Sequence, residues 1–177
     1  MPLWVADQSW INSGSKVDQN PDQPVRIEAP RGMYPGRMDD RGRIKLAAAF
    51  KEYLEQFEEK KLFVTSLDRR IAQIYPIHSW RETEKFLENF SEDPGAAENL
   101  AFNAADLGAE TEMDSQGRVL FSPELRRELG LEDQPVHLYA FGGHIEVLNE
   151  RLYEERKRAA TASPVADRAK LRQAGMK

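Results

Sequence analysis

Met38-Asp39-Asp40-Arg41-Gly42-Arg43-Ile44 returns 75 residues later as Met113-Asp114-Ser115-Gln116-Gly117-Arg118-Val119, and this repetition decides how the chain is read. Methionine, aspartate, glycine and arginine are identical in the two copies, and isoleucine pairs with valine. The order of elements repeats as well. After the first copy, Arg43-Ile44-Lys45-Leu46 alternates polar and apolar residues, as a half-buried strand does. Phe50, Tyr53, Leu54 and Phe57 then mark one face of a helix over residues 47–60. Residues 62–65 and 71–75 read as strands about a turn at 67–70, with Pro76 stopping the second. Ser79 is a candidate cap for a helix whose apolar face is Trp80, Thr83, Leu87 and Phe90. A polar break at 91–95 and a helix over 96–107 lead into the second copy. There, residues 118–121 read as a strand, and Ser122-Pro123 opens a helix that Gly130 ends. Residues 136–141 and 144–148 form a hairpin turning at Gly142-Gly143. A unit of roughly 45 residues buries too little surface to be stable alone, so two copies point to a shared core about a pseudo-twofold axis.

Asp-x-x-Gly-Arg describes a tight turn entering a strand. Asp39 and Asp114 can accept hydrogen bonds from backbone N–H groups two or three residues on. Gly42 and Gly117 take the positive-φ position that a Cβ disfavours. Arg43 and Arg118 then project from a fixed stem, which limits the side-chain entropy lost when a guanidinium meets a phosphate or a guanine edge. A fold-defining turn copied by duplication leaves the same pattern, so this reading stands beside the functional one.

These paired motifs resemble the MraZ family of bacterial transcriptional regulators. So do Leu62-Phe63-Val64-Thr65-Ser66-Leu67-Asp68, Ile74-Tyr75-Pro76 followed by Trp80, and Pro123-Glu124-Leu125-Arg126. The resemblance extends over about residues 33–153. It implies an α+β fold of two tandem SpoVT-AbrB-type units, short strands with helices, in a pseudo-twofold β-barrel-like module. It divides the chain into a first unit (33–80), connecting helices (81–108) and a second unit (109–152), while polar composition marks a flexible leader (1–32) and cationic charge a basic tail, flexible or helical (153–177). It also implies a sequence-specific, cytoplasmic and nucleoid-associated regulator. Such a protein binds double-stranded DNA at repeated promoter boxes of the division and cell-wall gene cluster as a ring-shaped homo-oligomer. By motif match Arg43 and Arg118 are the DNA contacts, and Asp39, Gly42, Asp114 and Gly117 organise the loops. No cofactor, metal or small-molecule substrate is implied.

The chain has 177 residues, 31% of them charged and 40% hydrophobic, and a net charge of −5. It holds no cysteine, which removes disulfides, cysteine zinc sites and thiol catalysis. No membrane span and no signal peptide are expected. Trp4 and Trp10 stand out in an otherwise polar leader. The net charge argues against indiscriminate DNA coating but not against a few placed arginines. From Asn149 to Lys177 eight basic residues face four acidic ones, so cationic charge collects in the tail. Two rival readings remain open: an oligomeric interaction protein with weak or no DNA binding, and an antitoxin-like AbrB protein whose tail covers a partner. An enzyme is not expected. His78, His137 and His144 lack metal-ligand spacing, although His137 and His144 could approach across their hairpin. Asp39 and Asp114 could meet as an aspartic dyad, but neither sits in an apolar pocket sequence. The stripe of Trp80, Leu87 and Phe90 reads as core or subunit contact.

Overall fold

A computed structural model describes residues 27–177; most of the 1–32 leader, including Trp4 and Trp10, lies outside the described residues. Among the described residues eight strands and six helices follow the order β1 (Tyr34–Arg37), β2 (Arg43–Lys45), α1 (Ala48–Glu55), β3 (Lys61–Thr65), β4 (Ala72–Pro76), α2 (Ile77–Asn89), α3 (Pro94–Leu107), β5 (Ala109–Glu112), β6 (Arg118–Leu120), α4 (Pro123–Glu128), β7 (Pro135–Phe141), β8 (His144–Asn149), α5 (Glu150–Thr161) and α6 (Pro164–Gln173). The fold is α+β, and every strand pairing is antiparallel.

Six strands form one sheet in the order β1-β7-β8-β4-β3-β5, while β2 and β6 form a separate two-stranded ribbon. The order is unchanged when β1–β4 are exchanged with β5–β8. In the ribbon Ile44 faces Val119, its counterpart at the 75-residue offset, and at the centre of the sheet Gln73 faces Glu146. Strands of the two halves interleave, with β1 on β7 and β5 on β3. The sheet is open, which corrects the barrel-like closure implied by the resemblance. Closure would need the free edges of β1 and β5 to meet. Instead the chain after β1 turns into the separate ribbon, through a single bridge between Met38 and Ile44.

The largest core gathers inward-facing residues of both halves: Ile44 and Val119 from the ribbon, Phe50 from α1, Leu125 from α4, and Val64, Ile74, Leu138 and Ile145 from the sheet. Phe50, Phe121 and Leu125 are fully buried, and each such side chain contributes about 1.5–3 kcal/mol by leaving water. Gly36 lets β1 approach, because a Cβ there would lie 2.8 Å from Leu138 Cδ1. A second, smaller cluster holds Tyr75, Ile77, Trp80 and Ala104, with Phe63 against them, and seats α2 and α3. Trp80 therefore serves the core, while Leu87 and Phe90 line an open groove between α2 and α3.

Helix starts follow local chemistry where a capping side chain is present. Ser122 accepts from the Leu125 amide at α4, and Asp93 accepts from the Ala96 amide at α3, two residues ahead of the start read from the sequence. Ser79 does not cap α2, which begins at Ile77 directly after Pro76. The proline's fixed φ carries the chain from strand into helix, so the cap position lies before Ser79. α1 is shorter than its apolar stripe suggests, ending at Glu55 and leaving Phe57 in the loop beyond. The tail is helical: α5 is anchored by buried Leu152 and capped by Asn149, whereas α6 buries no residue.

Candidate nucleic-acid interface

The two motif loops have the same geometry to within about 0.2 Å in every shared hydrogen bond. In the first, Asp39 Oδ1 accepts from the amides of Arg41 (3.0 Å) and Arg43 (2.8 Å), and Oδ2 accepts from Arg43 Nε (2.9 Å). Arg43 Nη2 also reaches Oδ2 at 2.8 Å. In the second, Asp114 Oδ1 accepts from the amides of Gln116 and Arg118 (both 2.9 Å), and Oδ2 accepts from Arg118 Nε (2.7 Å). Backbone bonds close each loop: Asp39 N to Arg43 O and Gly42 N to Asp39 O, with Asp114 N to Arg118 O and Gly117 N to Asp114 O as counterparts. Gly42 and Gly117 both have φ +76°, the left-handed region that costs a residue with a Cβ about 1–2 kcal/mol.

Each aspartate thus holds both the turn and its arginine. The Arg43 amide lowers the Asp39 carboxyl below its ordinary value, and the Arg43 guanidinium and the Arg41 amide add to this against the opposing effect of desolvation. Asp114 is lowered in the same way, first by the Arg118 amide and then by its guanidinium and the Gln116 amide. Both carboxylates therefore bond within their own loops, each to its own arginine and turn amides. Both arginine side chains are about a quarter exposed, so the guanidiniums are oriented but still reachable.

Pairing of β2 with β6 then sets the two arginines on one surface. Arg43 stands opposite Leu120 and Lys45 opposite Arg118, with Ile44 and Val119 between them facing the core. Side chains alternate along a strand, so the outer face of this ribbon carries Arg43, Lys45, Arg118 and Leu120. Lys45 and Leu120 are exposed. The ribbon is also tied at both ends across the halves: Leu46 N donates to Gly117 O (2.8 Å) and Phe121 N to Gly42 O (3.0 Å). A two-stranded ribbon is narrow enough to enter the roughly 12 Å major groove of B-DNA.

Sequence reasoning placed Asp39, Gly42, Arg43, Asp114, Gly117 and Arg118 in two loops; the structure brings the loops together at opposite ends of one ribbon. It missed Lys45 and Leu120. It also missed a reciprocal support: Lys51 of α1 packs on Gly117 and donates to Ser115 O (3.2 Å), while the Arg126 side chain of α4 lies over Gly42. Lys51 and Arg126 are 75 residues apart, so extending the repeat beyond the motif would have found the pair. Also unforeseen is Arg69, which joins the β3–β4 turn to α3 and α4 through Asn103 (3.1 Å), Asp106 (2.7 Å) and Glu128 (2.5 Å). His137 and His144 do not approach each other. His137 bonds Glu150 (2.7 Å) and stacks on Tyr153, and His144 lies with Gln73, Tyr75 and Glu146. The β7–β8 register sets them four rows apart, with His144 facing Phe141 and His137 facing Leu148. Among the described residues no helix is long and apolar enough to cross a membrane.

No family model matches the chain. Its sequence is similar to that of the transcriptional regulator MraZ of Acidobacterium capsulatum, 32% identical over 125 residues, which covers 71% of this chain and 85% of that protein. The transcriptional regulator MraZ of Koribacter versatilis is 33% identical over 120 residues, 67% of this chain and 81% of that protein. That of Ralstonia pickettii is 30% identical over 133 residues, 75% of this chain and 91% of that protein.

Proposed function

The chain belongs to the MraZ family of transcriptional regulators, and on that footing we propose that it reads double-stranded promoter DNA with the outer face of the β2–β6 ribbon. The observation that carries this is the pair of aspartate-clamped arginines, Arg43 and Arg118, held with Lys45 on one exposed surface. Residues 33–80 and 109–152 act as two tandem SpoVT-AbrB-type units, each supplying one loop. Asp39 and Asp114 orient, Gly42 and Gly117 allow the turn, and the arginines touch DNA.

One bidentate arginine–guanine contact gives about 1–3 kcal/mol of discrimination. Two per subunit select weakly among promoters, so binding as a ring-shaped homo-oligomer on repeated boxes supplies the rest. Linked engagement raises apparent affinity by roughly 10²–10⁴ with no new type of contact. A chain with net charge −5 suits this arrangement, since an isolated subunit attracts DNA poorly. The boxes are those upstream of the division and cell-wall genes, placing the protein at the nucleoid.

A gel shift with promoter DNA upstream of the protein's own gene tests the reading. A shift is expected that survives unrelated competitor DNA and weakens steeply between about 50 and 200 mM salt, as phosphate contacts release counterions. Folded, oligomeric protein that gives no shift at either salt concentration would overturn DNA binding and favour an interaction protein built on the same fold.

A further inference from the structure

The groove between α2 and α3 encloses about 590 Å³. Trp80, Leu87 and Phe90 supply apolar surface there, and Glu84, Glu88 and Glu98 line the same groove. None of these three glutamates forms a salt bridge among the described residues. The ribbon and its loops contribute nothing to this groove, so the DNA-reading surface does not use it. An apolar cleft ringed by unpaired negative charge fits a segment that is both apolar and cationic.

The same chain carries such a segment. Every residue of α6 is exposed, and among the described residues α6 buries none against the rest of the fold. Val165 and Leu171 are 83% and 56% exposed. Arg168, Lys170 and Arg172 form no salt bridge among the described residues. At 3.6 residues per turn, Val165, Arg168, Leu171 and Arg172 fall within about one third of the helix circumference, so two apolar and two guanidinium side chains share one face. Arginine suits this role because its stem covers apolar surface while its head meets a carboxylate.

We propose that α6 of one subunit docks into the α2–α3 groove of a second copy, with Val165 and Leu171 over Trp80 and Leu87, and Arg168 and Arg172 against Glu84, Glu88 and Glu98. Because helix and groove are different surfaces, the contact is heterologous, and repetition closes a ring or extends a filament according to its rotation. The contact deepens the homo-oligomer part of the proposed function and rests on residues separate from the DNA loops.

Sedimentation velocity on the full chain tests it with charge reversals at exposed positions, circular dichroism confirming the fold. Arg168→Glu with Arg172→Glu, and separately Glu84→Arg with Glu98→Arg, are each expected to weaken self-association by about tenfold or more, as attraction becomes repulsion. All four changes in one chain are expected to restore assembly, because the signs are then complementary again. An oligomer indifferent to either pair overturns this contact and leaves the homo-oligomer reading standing. Weakening by the groove pair alone, without restoration, assigns the groove to another occupant and overturns it too. If the helix pair leaves the mass unchanged but weakens DNA binding, α6 is a phosphate contact instead. A monomeric wild type overturns both this contact and the homo-oligomer reading.

Discussion

Replacing both loop arginines, Arg43→Ala with Arg118→Ala, is expected to lower affinity for the specific duplex by at least about 30-fold, with the fold intact. The figure takes the lower end of the 1–3 kcal/mol discrimination for each of two contacts in one subunit, and an oligomer multiplies it. The fold survives because each loop keeps its backbone ties: Asp39 still accepts from the amides at positions 41 and 43, and Asp114 from those at 116 and 118. The loss has a second source, since two carboxylates left without their guanidiniums would face phosphate directly. Arg43→Lys with Arg118→Lys separates charge from geometry. A lysine is a point charge without the planar fork that meets both aspartate and guanine, so this pair is expected to keep the salt dependence of binding while losing preference for the specific box. Anisotropy titrations with specific and scrambled duplexes measure both quantities. Full retention of box preference in the alanine pair would remove the arginines from the readout.

The second large effect lies beneath the ribbon. Phe50 of α1 is fully buried, with the Tyr34 ring edge-on at 4.9 Å between centroids. Its counterpart at the 75-residue offset is Leu125 of α4, also fully buried. Both sit in the cluster that holds Ile44 and Val119, so the core they form supports the surface that carries the arginines. Phe50→Ala is expected to cost about 3–5 kcal/mol through lost transfer free energy and the cavity left behind. That is a large part of the 5–15 kcal/mol typical of a folded domain, and it should appear in urea unfolding as a marked fall in midpoint. A cost below about 1 kcal/mol would mean that Phe50 does not occupy the packed site described.

Most of what the sequence disclosed is decided by a few adjacent residues, although Ser79 does not cap α2 and α1 stops before Phe57. The Asp39 and Asp114 turns, the Ser122 cap and the hairpin at Gly142-Gly143 are all short-range chemistry, and each is found where its residues indicate. Pairing between distant segments was not legible. β1 contains Pro35 and Gly36, and β5 is Ala-Glu-Thr-Glu, sequences with little strand preference of their own. They are strands because β7 and β3 offer edges to complete. The exchange of edges between halves, the separate β2–β6 ribbon and the open sheet all follow from those long-range pairings. The candidate site was legible as two loops and not as one surface, because the pairing of Lys45 with Arg118 and of Arg43 with Leu120 depends on ribbon register. The repeat aligns Lys51 with Arg126, but their role was hidden for a related reason: each supports the loop of the other half, not its own.

Hydrogen exchange on the full protein, with and without its specific promoter duplex, addresses the ribbon directly. DNA is expected to slow exchange in the amides of residues 39–46 and 114–121 together, by closing solvent access to both loops and the strands between them. Protection confined to residues 150–173, or to the α2–α3 groove, with both loops unchanged, would place DNA elsewhere on the molecule and reduce the aspartate–arginine loops to structural turns.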